Sequence, residues 1–559
     1  MSRQANPGPT ARLTSLIGWA LGARIARRAR RLGDERFWIA NSARLQHAQL
    51  RRLLRTAQGT RFGRKHDFGR IVRIADDASM LLAYRRAVPI ADWYAFREPI
   101  SQMREGGEPD VLWPGLVRDF AQTSGTTAGD KFIPLSRAML RHNYLAALDV
   151  YAHAVRFGVS LPRIFAGKIL FLGGSTQLQT NEHGIRTGDL SGLATRLIRW
   201  PLSTVVVPDR QTALIGDWPT KIERMAQACL RLDVRWISGM PSWSLVLFDK
   251  MIQIARDQGR GDDCLRRIWP NLHVFVHGGT RYEPFDGRVR RFWSGDPQGL
   301  DIPVRLEVYP ASEAFVAIQD RPGDPGLRLG VDLGVFYEFV PLEQIDSDDP
   351  LALTCDSVRR GQRYVVVLSS CAGLWRYVLG DVVEFDTVPG GLDGSGGDGP
   401  CRLRIVGRHR HFINAFGENL IVDHIESAVS AAARATGLVV GEFTAAPVYP
   451  GEKTRAGLEL VVEFEGAPDS AALEAFAEAF DRSLKDQNVD YTTKRTADMG
   501  MAPPTISPVA PGTFHRWMDG RGKLGGQHKC PRCANTREIA EQILGAAAGG
   551  ARPAPDPAP

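Results

Sequence analysis

The segment TSGTTAGDK, residues 123–131, combines hydroxyl, glycine and lysine side chains in one short stretch. Its candidate phosphate contacts are Ser124, Gly125, Thr126, Thr127 and Lys131. Glycine lets backbone N–H groups approach an anion closely, and lysine adds a mobile positive charge. The pattern is not a P-loop, because three residues separate the two glycines and Phe132 follows the lysine. It predicts a phosphate-binding loop in a strand–helix setting, with a solvated turn as the alternative.

The stretch EVYPASEAF places Ser312 and Glu313 after an apolar strand and a tight turn. A carboxylate there suits Mg²⁺, which binds few protein ligands and takes the rest from phosphate and water. Tyr309, earlier in the same stretch, carries a ring that can lie against a base. The alternative is a surface turn with a capping serine and a solvated glutamate.

Two further turns suit the other parts of a nucleotide. Asp381 follows Gly380 between two apolar runs in GLWRYVLGDVVEF, and a carboxylate at such a turn can accept bonds from two ribose hydroxyls. Gly278 and Gly279 in VFVHGGTRYEPF can flank an adenine. The alternative for Asp381 is an ordinary hairpin turn, since Gly-Asp is common turn chemistry.

The segment GRGKLGGQHKCPRCANTR holds Lys523 and Lys529 and a Cys-x-x-Cys pair, Cys530 and Cys533. Such a pair alone suggests zinc or redox chemistry, but a zinc site needs about four ligands. The chain has no second Cys-x-x-Cys pair. We therefore interpret these two cysteines as incidental thiols.

Strand-like runs alternate with helical patterns over most of the chain. Buried strands are predicted at KILFLGG, VRWISGM, LHVFVHGG, GVFYEFVP and RYVVVLSS, and strand–turn–strand at VRLEVYPASEAFVAIQ. SRAMLRHNYLAALDVYAHAVRF predicts a long helix that Ser136 caps. This order indicates an α/β fold with a largely parallel sheet, in which ligands sit at the carboxyl ends of strands.

Composition limits the class of protein. The 559 residues are 43% hydrophobic and 24% charged, which is typical of a globular enzyme and excludes a wholly disordered chain. The seven cysteines have no small-scaffold spacing and predict free thiols in a reducing cytoplasm. The net charge is +8, and residues 1–36 carry eight arginines against Asp34 and Glu35.

No apolar run reaches the roughly 18 residues that a membrane span needs. The basic helix in residues 1–36 has two interpretations, an ordinary exposed helix or an amphipathic helix that touches anionic lipid. We divide the chain into a basic helical or flexible extension (1–36), a large domain (37–406), a small mobile α+β domain (407–545) and a disordered tail (546–559).

Five stretches occur together in an order typical of one family. They are TSGTTAGDKFIP, YPASE, GLWRYVLGD, GRHRHFINAFGENL and GKLGGQHKCPR. In these the chain resembles the bacterial form of the auxin-responsive Gretchen Hagen acyl-acid amido synthetases, which belong to the adenylate-forming superfamily. The resemblance covers roughly residues 40–545 and implies a large domain with mixed or parallel sheets that binds ATP and the acyl group, plus the small C-terminal domain.

The resemblance also implies a role for each matching residue. Ser124, Gly125, Thr126, Thr127 and Lys131 would bind the phosphates of ATP; Tyr309 and Ser312 would contact adenine and α-phosphate; Glu313 would bind Mg²⁺; and Asp381 would hold the ribose. Arg408 would lie near the hinge between the domains, and Lys529 would reach the nucleotide. At two positions the chain departs from the pattern. Asn419 replaces a common lysine, so no catalytic role is assigned there, and Trp375 replaces a tyrosine, which is expected to change the pocket wall.

The activity that the resemblance implies is ATP-dependent amide formation between a small carboxylic acid and an amino acid. From the cysteines we expect a cytoplasmic protein, and we expect no nucleic-acid partner and no stable membrane insertion. Two alternatives remain at this stage. An acyl-CoA ligase would perform the same adenylation and pass the acyl group to a thiol. A basic protein that binds nucleic acid or membrane would depend on the N-terminal arginines instead. The sequence names neither the acid nor the amine.

Overall fold

The structure is a computed structural model, and the chain divides into two compact units, Met1–Thr280 with Val289–Ile405, and Arg281–Arg288 with Val406–Pro559. The described residues are 9–124, 130–173, 178–188, 190–195, 202–213, 215, 218–279, 282, 285–392, 396–409, 412–413, 420–448, 457–488, 491–492, 495, 501–521, 530–534 and 536–547.

The helices in the first 405 residues are α1 (Pro9–Gly33), α2 (Glu35–Ala57), α3 (Arg61–Lys65), α4 (Phe68–Ile71), α5 (Asp77–Ala87), α6 (Trp93–Arg104), α7 (Arg137–Arg156), α8 (Leu161–Phe165), α9 (Leu190–Thr195), α10 (Arg210–Ala213), α11 (Trp218–Cys229), α12 (Pro241–Asp257), α13 (Leu265–Ile268) and α14 (Asp286–Ser294). The predicted long helix after the phosphate loop is α7, and its Ser136 cap is confirmed, because the side chain accepts from the Met139 N–H at 3.0 Å.

The strands through residue 408 are β1 (Asp119–Ser124), β2 (Asp130–Pro134), β3 (Lys168–Leu172), β4 (Gln179–Thr180), β5 (Arg186–Gly188), β6 (Val206–Val207), β7 (Val234–Gly239), β8 (Val274–Gly278), β9 (Val304–Pro310), β10 (Phe315–Gln319), β11 (Leu327–Leu329), β12 (Val335–Pro341), β13 (Arg363–Ser370), β14 (Tyr377–Thr387) and β15 (Arg402–Arg408). Each strand that the sequence predicts is present.

The main sheet of the described chain has the strand order β12-β13-β14-β15-β11-β10-β9-β8-β7-β3-β6. The run from β9 to β6 is parallel. The β9–β10 pair and the β12–β13–β14 meander are antiparallel. A short turn joins β9 to β10, as antiparallel pairing allows. The α/β class is confirmed, but the expectation of a largely parallel sheet holds only for that half.

The strands that flank the predicted phosphate loop, β1 and β2, lie in a second sheet, of order β2-β1-β5-β4. β1 and β2 pair antiparallel, with Thr123 opposite Lys131, so the segment is a β-hairpin rather than a strand–helix turn. The helix α7 begins only after β2 ends.

The basic helix α1 packs onto the first unit with one face. Ile25, Ala29 and Leu32 are buried on that face. Gly18 is needed where α1 crosses α8, because a Cβ there would stand 2.5 Å from the Leu161 carbonyl oxygen. The helical part of the expected N-terminal extension is therefore built into the fold.

An arginine on this face holds three elements together. The Arg28 guanidinium binds both carboxylate oxygens of Asp149 on α7, at 2.8 and 2.6 Å. It also binds both oxygens of Asp332, which follows β11, at 2.6 and 2.8 Å. Bidentate pairs of this kind are among the strongest hydrogen-bonded contacts in proteins.

In the second unit, the strands and helices are β16 (Phe412–Ile413), β17 (Leu420–Ile421), α15 (Val422–Thr436), β18 (Val440–Val448), β19 (Gly457–Phe464), α16 (Ser470–Gln487), β20 (Thr505–Val509), α17 (Thr513–Gly520) and α18 (Glu538–Ala547). β18, β19 and β20 form a sheet, and α15 and α16 contribute to the core beside it. Among the described helices of the whole chain, none combines the length and apolar character that crossing a bilayer requires.

Replacing Arg28 with alanine is expected to lower the free energy of unfolding by about 3 kcal/mol, because the buried Asp149 and the half-buried Asp332 lose their counter-charge. The matched control is Arg27→Ala on the exposed side of the same helix, for which we expect a change within about 0.5 kcal/mol. Denaturant unfolding measures both. Equal stabilities of the two variants would contradict the structural role of Arg28.

Candidate active site

Ser312 and Glu313 lie in the turn between β9 and β10. The turn is closed by a hydrogen bond from the Ala311 N–H to the Ala314 carbonyl, at 2.9 Å. Ser312 is 5% and Glu313 9% exposed, so the solvated surface turn of the alternative interpretation is excluded. A carboxylate in such a place needs hydrogen-bond donors or a cation.

Glu313 accepts a hydrogen bond from the hydroxyl of Tyr377, at 3.4 Å. Tyr377 begins β14, and Asp381 lies four residues further along the same strand. In return, the hydroxyl of Tyr309 on β9 donates to the Asp381 carboxylate. Each segment thus supplies one tyrosine and, four residues later, one carboxylate, and the two hydrogen bonds cross between the segments. We call these two tyrosine–carboxylate hydrogen bonds, with their four residues, the crossed pair.

The crossed pair joins strands that are not neighbours, since β15, β11 and β10 lie between β14 and β9 in the sheet order. Sequence analysis missed Tyr377, although it lies in the quoted motif GLWRYVLGD. The spacing could have identified Tyr377, because the Tyr-x-x-x-Asp of this motif has the same spacing as the Tyr-x-x-x-Glu of the β9–β10 turn.

A bulge in β14 places Asp381. Val365 and Val367 of β13 pair with Val382 and Val378 of β14, so β14 carries extra residues between these partners. Gly380 lies in the bulge with φ at +89°, a conformation that glycine adopts without strain. Bulges re-aim side chains next to functional sites. Asp381 therefore sits in a bulged strand, and the alternative of a hairpin turn is wrong.

The residues just before Tyr377 fix its backbone. Trp375 is fully buried and packs against Phe62 and Trp113, so it belongs to the core instead of forming the expected pocket wall. Arg376 has φ at +47° and is held by the Glu338 carboxylate at 2.9 Å. A non-glycine residue in this conformation costs free energy, which the ion pair offsets.

A buried histidine on α7 holds the far end of the β9–β10 turn. The Leu333 carbonyl lies 2.8 Å from Nδ1 of His142, which must therefore carry the proton. Nε2 then accepts from the Phe315 N–H at 2.8 Å. Burial lowers the pKa of His142, which favours this neutral form. Sequence analysis missed His142, since a histidine on an apolar helix face carries no distinguishing motif.

The two glycines after β8 lie beside this site. Gly278 pairs with Val308, the residue before Tyr309. A Cβ on Gly278 would stand 2.2 Å from the Val308 carbonyl oxygen, so only glycine lets β8 and β9 approach this closely. Gly279 has φ at +80°. The structure thus brings Gly278 and Tyr309 onto adjacent strand ends.

The remaining predicted site residues lie on other elements or outside the described chain. Ser124 ends β1, Lys131 lies in β2, and Arg408 ends β15. Gly125, Thr126, Thr127 and Lys529 lie outside the described residues.

The cysteines agree with the prediction of free thiols, and all seven are buried. Burial raises the pKa of Cys530 to about 12 and that of Cys533 also well above its usual value. Such thiols are poor nucleophiles and poor metal ligands. Within the described residues, no cluster of three or more His, Cys, Asp or Glu side chains could hold a metal ion.

Comparison with known proteins gives a consistent result. Models of the GH3 family match the chain in three stretches, the N-terminal domain at residues 38–221, the central domain at 329–390 and the C-terminal domain at 423–538. The chain is 27% identical to the indole-3-acetic acid-amido synthetase GH3.8 of Oryza sativa subsp. indica over 316 residues. That alignment covers 53% of this chain and 49% of the relative, so the chain spans about half of the relative's length.

Two solved structures share the fold. The acyl acid amido synthetase AtGH3.15 in complex with 2,4-DB is similar with a TM-score of 0.71 and 17% identity, over 98% of both chains. A 2-hydroxyisobutyryl-CoA ligase in complex with 2-HIB-AMP is similar with a TM-score of 0.55 and 17% identity, over 89% of this chain and 91% of the other. The fold of this chain is therefore shared with an acyl acid amido synthetase and with a CoA ligase.

Replacing His142 with leucine is expected to destabilise the chain by about 2 kcal/mol, because the Phe315 N–H and the Leu333 carbonyl lose this partner. Denaturant unfolding measures the loss, and amide exchange at Phe315 locates it. His183→Leu, at an exposed histidine, serves as the control.

The wild-type chain adds a pH test of the same contact. Because the folded state binds the proton on His142 less readily than the unfolded state, stability is full above pH 6.5 and falls below it. The His142→Leu variant should lack the part of the stability loss at low pH that comes from protonation of His142. Rapid exchange of the Phe315 amide in the wild-type chain at pH 7 would contradict the contact.

Proposed function

Since the chain belongs to the GH3 family, we propose that it is an ATP-dependent acyl-acid amido synthetase, a ligase that joins a carboxylic acid to an amino acid. The observation that carries the proposal is the crossed pair, which holds one carboxylate suited to Mg²⁺ and one suited to a ribose. Both are buried beside a glycine-lined strand end. This is the chemistry that a bound adenine nucleotide requires from a protein.

The reaction follows from the poor reactivity of a carboxylate, whose charge repels nucleophiles and whose oxygen is a bad leaving group. One carboxylate oxygen attacks the α-phosphorus of ATP, and the bond to pyrophosphate breaks. The amine nitrogen then attacks the carbonyl carbon of the acyl-adenylate, loses a proton, and AMP leaves. Positioning dominates this type of catalysis, because the protein forms no covalent bond to the substrate.

On the nucleotide side, Asp381 accepts hydrogen bonds from the ribose hydroxyls. The Tyr309 hydroxyl donates to one carboxylate oxygen of Asp381, and a carboxylate can accept hydrogen bonds from several donors. The ring of Tyr309 and the backbone at Gly278 and Gly279 flank the adenine. Ser312 contacts the α-phosphate.

Glu313 fits Mg²⁺ because it offers a hard oxygen ligand at a buried turn, and the Tyr377 hydroxyl that donates to it is neutral. When bound, Mg²⁺ neutralises charge that builds up on the phosphates. Ser124, Gly125, Thr126, Thr127 and Lys131 hold the phosphates. Lys529 reaches the nucleotide from the small C-terminal domain, residues 407–545, and Arg408 lies at its hinge.

The amide product is favoured over a thioester by the family matches, which cover all three GH3 domain types. An acyl-CoA ligase remains the second candidate, because the 2-hydroxyisobutyryl-CoA ligase shares the fold. Coenzyme A and amino acids therefore belong in one assay, with pyrophosphate release as the readout. Turnover that requires coenzyme A and ignores amino acids would replace the proposal with the second candidate.

The first test of the site is Glu313→Ala. We expect the variant to lose at least about 100-fold in acid-dependent ATP–pyrophosphate exchange, since a metal ligand in the adenylation step is gone. Glu474→Ala, at an exposed glutamate of α16, is the control and should behave like the wild type. Exchange in Glu313→Ala equal to that of the control would overturn the assignment.

The second test removes only the hydroxyl from Tyr377, by Tyr377→Phe. The loss of one donor to Glu313 is expected to raise the Mg²⁺ concentration for half-maximal exchange about 10-fold and to leave the rate at saturating Mg²⁺ within about twofold. Tyr309→Phe is the matched variant, which should instead raise the KM for ATP. The same response of both variants to Mg²⁺ and to ATP would contradict separate roles for the two carboxylates.

A further inference from the structure

The outer face of α1 exposes two large apolar side chains one helical turn apart. Trp19 is 67% and Leu16 61% exposed. Isolated apolar residues on a surface are common, but two neighbours of this size on one turn form a small apolar patch. Ala20 and Ala23 on the same face are also exposed, so no bulkier side chain of α1 covers the patch.

Four arginines continue this face toward the C-terminal end of the helix. They are Arg24, Arg27, Arg30 and Arg31, and all are exposed. At 100° per residue, Arg27 and Arg30 lie on the same side of the helix as Trp19, and Arg24 and Arg31 lie further round its exposed surface. The four arginines extend along about 10 Å of the helix axis. We call this surface, from Leu16 to Arg31, the outer stripe.

The arginines of the outer stripe are not used to hold the fold. Within the part of the chain that the structure describes, none of them forms an ion pair, in contrast to Arg28 on the inner face. Arg31 covers the Phe37 ring at 4.4 Å, and the Arg30 Nε donates to the Ala26 carbonyl at 3.4 Å. Their charges therefore face outward, and no acidic side chain of the described residues pairs with them.

The opposite face fixes the stripe in place. Ile25, Ala29 and Leu32 are buried, and Gly18 lets the helix lie against α8. A helix that is already folded and anchored loses little conformational entropy when its outer face meets a partner. The outer stripe is in this sense preorganised for docking.

We propose that the outer stripe docks on an anionic lipid surface, with the four arginines at the lipid phosphates and Trp19 and Leu16 in the interfacial layer. Juxtaposed arginines are attracted by anionic lipids, and tryptophan prefers the boundary between headgroups and acyl chains. A nucleic acid would use the arginines alone and leave the apolar patch exposed. The proposal is independent of the reaction proposed above and requires no helix to cross the bilayer.

The test uses the full chain in co-sedimentation with large unilamellar vesicles. We expect at least about 10-fold tighter binding to phosphatidylcholine vesicles with 30% phosphatidylserine than to phosphatidylcholine alone, and loss of binding in 0.5 M NaCl because salt screens the attraction. Arg27→Glu with Arg30→Glu should abolish binding. Trp19→Ser should weaken it about 10-fold at unchanged net charge.

The matched control is Arg52→Glu with Arg55→Glu, which makes the same charge change at the same spacing on exposed positions of α2. Leu300→Ser, at a leucine that is 58% exposed elsewhere, controls for Trp19→Ser. Thermal unfolding at wild-type temperature confirms that each variant is folded.

The proposal is overturned if the chain does not bind the anionic vesicles, or if the α2 variant loses as much binding as the α1 variant. It is also overturned if double-stranded RNA binds more tightly than the vesicles and Trp19→Ser leaves that binding unchanged. The latter result would assign the outer stripe to nucleic acid.

Discussion

Hydrogen bonds from two tyrosines hold the two buried carboxylates of the crossed pair. Glu313 and Asp381 each receive a hydroxyl from the segment that carries the other. A hydroxyl is a neutral donor, so it orients a carboxylate without cancelling the charge that a metal ion would need. The bonds also tie the β9–β10 turn to β14, and the two carboxylates thereby become parts of one site.

Contacts in both the β9–β10 hairpin and β14 support this arrangement. On the hairpin, the backbone bond between Ala311 and Ala314 sets the turn, and His142 fixes its end. On β14, the bulge at Gly380 turns Asp381 toward Tyr309. Each of these contacts positions the backbone. The tyrosines and carboxylates of the crossed pair therefore lie within hydrogen-bonding distance with few additional side-chain contacts.

Much of the fold and of the candidate site could be predicted from the sequence. The long-range contacts could not be predicted, for a physical reason. The strands, the turn at Ser312 and the candidates Glu313 and Asp381 follow from local patterns of apolar runs and turn residues. The pairing of Tyr309 with Asp381 does not, because it joins strands that are distant in the sheet order. Arg28 shows the same limit, since its partners Asp149 and Asp332 are far away in sequence.

Trp375 shows how a motif can be identified and its residues still be assigned to the wrong task. In Trp-Arg-Tyr, consecutive side chains reach three different surroundings: Trp375 reaches the core, Arg376 pairs with Glu338, and Tyr377 reaches Glu313. The φ of +47° at Arg376 breaks the regular alternation of a strand. The two residues before Tyr377 therefore act as anchors for the tyrosine whose hydroxyl reaches Glu313. Substitutions at a motif position are best interpreted from these surroundings rather than from the motif as a whole.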